Sequence, residues 1–488
     1  MTMIRTTALI VGAGFGGVAI AAELRRAGMH DFVVLEKAAD LGGVWRENTY
    51  PGSGCDVPSP LYSFSFERNH AWPRRYAWQP DIHAYLRRTA RRHGLLAHLR
   101  FDSEVVSAEF DSGNAEWRVR TAGGEEYATR VLIPATGQLS RPSYPDIPGI
   151  DSFAGPSFHS AQWDHDCELT GKRVAVIGTG ASAVQFVPRI QPRVARLTVF
   201  QRSAQYIMPK RDRVYTPWQH KAFRTLPLLQ SLDRLSFWLY GEFAQQALSK
   251  WPALTRIFLW QTRKRLRSQV ADPDLRRKLT PDYALGCKRI LFSNDYLPAL
   301  TESTVDLVTE KIVEVTPRGV RTADGTLHEA DVIIYGTGFA TQELLAPMTI
   351  RGLAGRLLSD AWRDGPRAHL GITVPRFPNM FLMYGPNTNL GGSSILYMLE
   401  SQARYIADAV RRLADHPGRY LDVRPEAEQA WDDEVQGRLA HSVWSRCSSW
   451  YRNEHGRIVA NWPGRTHEYR SRTRRVDLAD FRVYATSH

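Results

Sequence analysis

Three glycines early in the chain, Gly12, Gly14 and Gly17, have the spacing at which a strand hands over to a helix around a pyrophosphate. Gly12 allows the tight turn, Gly14 lets backbone approach phosphate oxygens, and Gly17 lets the helix pack close on the strand. The helix N-terminus then offers N–H groups to negative charge. Nineteen residues after Gly17, Glu36 ends the apolar run Phe32-Val-Val-Leu35, where a carboxylate accepts hydrogen bonds from a ribose diol. The pattern recurs at Gly178-Thr-Gly180-Ala-Ser182-Ala183, with alanine in the third place. Arg202 follows Gly178 by 24 residues, as Glu36 follows Gly12, so the two units superimpose in register. What differs is charge. Glu36 suits a free ribose diol, whereas Arg202 with Ser203 suits a 2′-phosphate, because a guanidinium presents a planar fork to phosphate oxygens. The first unit reads as the adenosine end of an FAD site and the second as an NADPH site. A solvated strand-end arginine is the plain alternative for Arg202.

These residues need strands and helices to hold them. Thr7–Val11, Phe32–Leu35, Arg173–Ile177 and Leu197–Phe200 read as buried strands, and an Ala-rich helix ends near Gly28. Two further apolar strands, Arg130–Ala135 and Ala330–Tyr335, each end in a small-Thr-Gly turn, at Thr136-Gly137 and Thr337-Gly338. As a pair they mark crossings between two nucleotide domains. The fold class expected is α/β, with two Rossmann-like dinucleotide-binding domains: FAD at 1–150 and 346–488, NADP at 151–345. A helical insertion at about 211–285 is read from apolar periodicity without strand patterning. Asn379–Tyr384 reads as a strand running into a helix N-terminus near Gly391, and Ser394–Ala414 as an amphipathic helix packed on the FAD domain.

With 488 residues, 43% apolar and 23% charged, the chain can bury several cores. Its net charge of +13 exceeds what two anionic cofactors require. No basic run interleaved with stacking aromatics supports a nucleic-acid partner. No apolar run is long enough to span a membrane. The region from about Leu226 to Trp260 is apolar but dotted with charges and broken by Pro252, so core or interdomain packing is expected of it, with a membrane-surface or substrate-facing patch left open. The same holds for Trp238, Tyr240, Phe243 and Trp251, which either pack in the core or shape a substrate pocket. Cys55, Cys167, Cys287 and Cys447 are far apart, without a C-x-x-C or metal-ligand spacing. Free thiols, no metal site and a cytoplasmic location are expected.

Two longer segments carry a family resemblance. Phe153-x-Gly155-x-x-x-His159-x-x-x-Trp163-Asp164 resembles the fingerprint of type I Baeyer–Villiger monooxygenases, within the class B flavoprotein monooxygenases. Gly42-Gly43-Val44-Trp45, through Tyr50-Pro51-Gly52 to Asp56, resembles that family's second signature. The resemblance runs from Gly12 to Trp462-Pro-Gly464, with Val44 where the family often has Thr and Gly336 where it often has Ala. It implies that NADPH reduces FAD, that O₂ adds to give a C4a-peroxyflavin, and that this attacks a ketone, a small-molecule substrate, to yield an ester or lactone. Arg289, in Cys287-Lys288-Arg289, then falls at the catalytic arginine, with Asp56 holding it and Lys288 joining Arg202 at the 2′-phosphate. His159, Trp163 and Asp164 take a conformational role, coupling domain motion to cofactor position. The resemblance places Gly43 and Trp45 at the flavin pocket wall, with a core position the plain alternative for Trp45. Trp450, in Cys447-Ser-Ser-Trp450-Tyr451, resembles part of the mobile loop that folds over NADP, or is an ordinary packed tryptophan.

Other classes share the two nucleotide turns. A flavin monooxygenase oxygenating amines or sulfides is not expected to carry Asp56 and Arg289 in this setting. A flavin disulfide reductase needs a redox dithiol, and C-x-x-C is missing. A non-catalytic nucleotide-binding protein would retain both folds without the oxygen chemistry.

Overall fold

A computed structural model describes residues 3–250 and 252–486, with the side chains of 245–254 left out. Trp251 therefore lies outside the described residues. Two sheets organise the chain.

The first sheet has seven strands in the spatial order Thr349–Arg351, Val105–Asp111, Glu116–Thr121, Glu126–Pro134, Ile4–Val11, Phe32–Leu35 and Leu99–Arg100. Ile4–Val11 pairs in parallel with both Phe32–Leu35 and Glu126–Pro134, while 105–134 forms an antiparallel meander at one side. Val11 and Leu35 are in register, so the turn after the one strand and the acid after the other come out at the same sheet end. Helix α1 (Phe15–Arg26) follows the first glycine turn; its Val18, Ala19, Ile20, Ala21 and Ala22 are all buried. Small side chains let it sit between the sheet and a long helix near the C-terminus, and Arg25 and Arg26 favour its negative C-terminal end.

The second sheet is entirely parallel, ordered Val305–Val308, Arg196–Phe200, Arg173–Ile177, Val332–Tyr335 and Ser157–His159. Val332–Tyr335 is buried throughout, and Arg173–Ile177 and Arg196–Phe200 are buried after their first residue, as parallel strands covered on both faces must be. Helix α2 (Ala181–Ile190) follows the second glycine turn. The chain thus leaves the first sheet after Pro134, builds the second from Ser157 to Tyr335, and rejoins the first at Thr349. The Phe153–Asp164 segment is part of the second sheet itself, with His159 opposite Tyr335 on its edge strand.

Within 211–285, four helices lie among the described residues: α3 (Pro217–Thr225), α4 (Pro227–Lys250), α5 (Pro252–Gln269) and α6 (Pro273–Lys278). Each starts with proline, whose missing N–H costs nothing at that position. Thr216 caps α3 reciprocally with Gln219, and Asp272 caps α6. The expectation of core packing fails for much of this region: Leu228, Leu232, Leu235 and Leu239 are exposed, as are Tyr240 and Phe243. The physical reason is that α4 docks through its polar side chains. Gln230 donates to the Asn69 carbonyl, Arg234 to the carbonyls of Pro60 and Ser63, and Glu242 accepts from Thr466.

After the second sheet, Asn379–Tyr384 does not form the strand expected. It lies beside Glu126–Pro134 through hydrogen bonds from Phe381 N to Leu132 O and Met383 N to Pro134 O, but Asn379 and Tyr384 take positive φ and break the extended run. The helix read as Ser394–Ala414 forms as α7 (Ile395–Ala414), capped by the Ser394 hydroxyl and packed on α1, so Gly391 precedes the helix and is not at its N-terminus.

Candidate functional site

The two glycine turns are nearly superimposable. Gly12 and Gly178 have φ of +102° and +107°, and Gly14 and Gly180, the helix caps, have φ of −77° and −74°. Gly12 N donates to Leu35 O at 2.8 Å and Gly178 N to Phe200 O at 3.0 Å. The small-Thr-Gly turns sit against them. A Cβ on Gly12 would lie 2.8 Å from Ala135 O, beside Thr136, and one on Gly178 would lie 2.5 Å from Gly336 O, beside Thr337. A Cβ on Gly17 would fall 1.9 Å from Gly12 O, which no relaxation of side chains could absorb. Ala183 keeps its methyl fully buried in the matching place.

Neither helix is capped by a side chain at Gly14 or Gly180, and neither carries an acid in its first turn. Helix N-termini left this way suit phosphate. Gly43, at φ +54°, presses on Gly14 so closely that a Cβ there would be 3.1 Å from Gly14 Cα, and Gly42 N donates to Ala13 O. The second signature thus forms the wall beside the first turn. Glu36 is buried at the end of its strand and accepts from Ala13 N at 2.7 Å and Ala38 N at 3.1 Å, which fixes its carboxylate beside the glycine turn.

At the matching place in the second unit, Lys288 Nζ donates to Ser203 Oγ at 3.1 Å. Burial, together with the nearby charge of Arg202, lowers the affinity of Lys288 for its proton. Arg202 itself is exposed. Two cations held together beside a hydroxyl make a fitting cradle for a dianionic phosphate. Ser182 stands in the first turn of α2, and the Thr337 hydroxyl donates to Ser143 O at 2.5 Å, while Gly338 O accepts from Ser143 N.

Arg289 and Asp56, 233 residues apart, meet in a bidentate pair. Nε and Nη2 of the guanidinium both reach Asp56 Oδ2, at 3.1 and 2.7 Å, and Nη2 also reaches Oδ1 at 2.9 Å. Although the pair is surrounded by protein, the Arg289 side chain keeps 35% of its accessible surface, so part of the guanidinium remains open to small molecules. Burial alone would raise the Asp56 pKa, but Arg289 and then Lys210 hold it below the usual carboxylate range. The carboxylate in turn raises that of Arg289, so both remain charged at any working pH. Nη1 has no protein partner among the described residues. Tyr384 and Tyr451 stand close to the guanidinium, and the Tyr384 hydroxyl donates to Asn389 at 2.7 Å.

Trp45 is half-buried and donates from Nε1 to the Tyr62 hydroxyl at 2.9 Å. Lys210 and Tyr62 were not singled out from sequence. Lys210 lies near Asp56 and Cys55 with its ammonium over the rings of Tyr76 and Trp78, and no motif announces it. A better clue existed for Tyr50 of the second signature: its hydroxyl donates to Gln185 on α2, which bonds Gly54 in return and so couples the loop before Asp56 to the second unit.

His159 is fully buried, accepts from Ala161 N at Nδ1, and is flanked by the rings of Tyr144 and Phe339. Burial lowers its pKa to about 4, so it is neutral near pH 7. Trp163 packs on Phe158 and Phe186, and Asp164 closes a local turn by accepting from Asp166 N and Cys167 N. The cysteine expectation is corrected: Cys287 and Cys447 form a disulfide, which the sequence could not pair across 160 residues, and Cys55 and Cys167 are free. The bond joins the loop carrying Arg289 to the loop carrying Trp450, whose ring lies against Tyr451 at 4.3 Å and is 36% exposed.

Comparison with known proteins agrees with this geometry. The family model described as "Pyridine nucleotide-disulphide oxidoreductase" matches residues 9–231. A Baeyer–Villiger monooxygenase of Streptomyces coelicolor is 47% identical over 477 residues, covering 97% of this chain and 92% of the relative. The chain belongs to the Baeyer–Villiger monooxygenases. A second Baeyer–Villiger monooxygenase, from Pseudomonas aeruginosa, is 41% identical over 98% of this chain and 91% of its own. Among solved structures, the cyclohexanone monooxygenase from Rhodococcus sp. Phi1 bound to NADP⁺ matches with a TM-score of 0.89 and 30% identity, covering 99% of this chain and 100% of that one. A steroid monooxygenase bound to NADP matches at 0.86 and 31%, covering 96% and 97%. This Baeyer–Villiger monooxygenase is therefore an oxidoreductase of the flavoprotein monooxygenase class, and among its described residues no helix is long and apolar enough to cross a membrane.

Proposed function

We propose that this chain binds FAD in 1–150 and 346–488 and NADPH in 151–345, and uses O₂ to insert one oxygen atom beside a ketone carbonyl, giving an ester or lactone. When bound, reduced FAD supplies the electrons that activate O₂. Gly12, Gly14 and Gly17 let the backbone of α1 receive the FAD phosphates, with Glu36 on the adenosine ribose and Gly43, Trp45 and Thr136 lining the ring side. Gly178, Gly180, Ser182 and Ala183 receive the NADPH phosphates, with Arg202, Ser203 and Lys288 on the 2′-phosphate and Thr337 and Gly338 at the crossing. The cytoplasm is the proposed location.

The observation that carries this reading is the bidentate Asp56–Arg289 pair with its guanidinium still partly exposed. Asp56 occupies Nε and Nη2 and so fixes the guanidinium plane, leaving Nη1 to donate to negative charge that develops during oxygen transfer. A guanidinium cannot release its proton there, so it stabilises an anion without quenching it. Trp450 and Tyr451 follow Cys447, which the disulfide ties to the Arg289 loop, and their task on this reading is to shield the reacting atoms from water. His159, Trp163 and Asp164 keep the edge strand of the second sheet in position and take no proton. NADPH and O₂ consumption with a panel of ketones, with products identified by mass, tests the proposal. Turnover with thioethers or amines alone would sink it.

A further inference from the structure

Helix α4 is built inside out. Leu228, Leu232, Leu235 and Leu239 follow the i, i+4, i+7, i+11 spacing that ordinarily faces a core, yet they are 69%, 53%, 47% and 53% exposed. Its inward side chains include Gln230, Arg234 and Glu242, each hydrogen-bonded to the body of the protein, with Phe237 and Trp238 half-buried beside Arg75 and Tyr397. Four leucines facing water while the helix docks largely through polar groups makes no sense for an isolated surface helix, because the burial of apolar area is forgone at each leucine. Before it, α3 presents Trp218 at 76% exposure, and Leu226 is exposed in the connection between the two. Scattered exposed leucines are normal, but a continuous stripe is the mark of a contact surface.

The charge says what it contacts. Residues 217–269 hold nine Lys and Arg against two acids, Asp233 and Glu242, a balance of +7 within a chain total of +13. On α5, which packs against α4, a cleft of about 360 Å³ is lined by Arg256, Leu259, Trp260, Arg263, Lys264 and Arg267. None of those four cations pairs with a carboxylate among the described residues, and Lys264 lies 5.1 Å over the Trp260 ring. Apolar side chains and an interfacial tryptophan next to unpaired cations match the boundary between acyl chains and anionic headgroups. A second copy of this chain would instead bring the same positive face against itself, which opposes pairing.

We propose that the α3–α5 face seats this enzyme on an anionic lipid bilayer, with the α4 leucines in the acyl boundary and the α5 cations among the headgroups. The surface charge that two nucleotide sites leave unexplained then has a place. The test is flotation of the FAD-loaded protein with phosphatidylcholine vesicles, with and without phosphatidylglycerol. Binding is expected to the anionic vesicles, to weaken about tenfold or more on neutral ones, and to fall with added salt. The variant L228S/L232S/L235S/L239S, and separately R256E/R263E/K264E/R267E, should each cut binding about tenfold with flavin content unchanged. Absence of flotation on anionic vesicles by the flavin-loaded wild type overturns the proposal. So does a dimer in sedimentation velocity that the leucine variant abolishes, which would assign the face to a second copy.

Discussion

The guanidinium of Arg289 shares three hydrogen bonds with the carboxylate of Asp56, yet its Nη1 has no protein partner among the described residues. On the proposed function Asp56 is a positioning residue for Arg289. Asp56→Ala should leave flavin bound and the NADPH Michaelis constant little changed, while the turnover number falls roughly 10- to 100-fold from misplacement of the arginine. Steady-state kinetics with a ketone substrate checks this. An equal loss in flavin content would show that Asp56 supports the fold only.

Arg202→Ala removes one of the two cations beside Ser203. Loss of a charged contact to phosphate costs about 2 kcal/mol, so the preference for NADPH over NADH should fall roughly 30-fold. The ratio of kcat/KM for the two cofactors measures it, and an unchanged ratio would make Arg202 a bystander.

The Cys287–Cys447 bond predicts two reactive thiols in denaturant without reductant and four after reduction. In the native protein only Cys167 should react readily, because Cys55 is buried and its pKa is pushed up to about 12 by burial and by Asp56. Thiol titration settles the count. Four thiols without reductant would remove the tether between the Arg289 and Trp450 loops.

His159 links stability to pH. Its pKa falls from 6.5 to about 4 on folding because burial disfavours the cation. The unfolded chain then binds the extra proton first, so stability drops as pH falls from about 6.5 towards 4, where the folded form also takes it up. The nearby Tyr144 and Tyr335 stay neutral throughout, their pKa values raised by burial. Urea unfolding of wild type and His159→Gln across that range should show a shallower fall for the variant. Parallel curves would exclude His159 as the source.

Much of the fold was legible because buried strands and glycine turns are local signals. Arg173–Ile177 forms as read, and Phe32–Leu35 ends at Glu36 as the register demands. The Arg289–Asp56 contact was legible only through resemblance, since nothing local joins residues 233 apart. Three features were not legible. A disulfide across 160 residues depends on two loops meeting. The Asn379–Tyr384 run has strand-like side chains, but positive φ at both its ends is a backbone choice imposed by packing. Most instructive is α4: the leucine spacing correctly announced a helix, and only the tertiary contacts of Arg234 and Glu242 decided which side faces out.

The most direct test of the oxygen chemistry follows product formation from ¹⁸O₂ by wild type and Arg289→Ala, each loaded with FAD and supplied with NADPH and a ketone. The wild type should form an ester or lactone carrying one labelled oxygen atom, and the variant should bind flavin normally while ester formation falls by about 10³-fold or is lost. Labelled ester at an undiminished rate from Arg289→Ala would contradict the account.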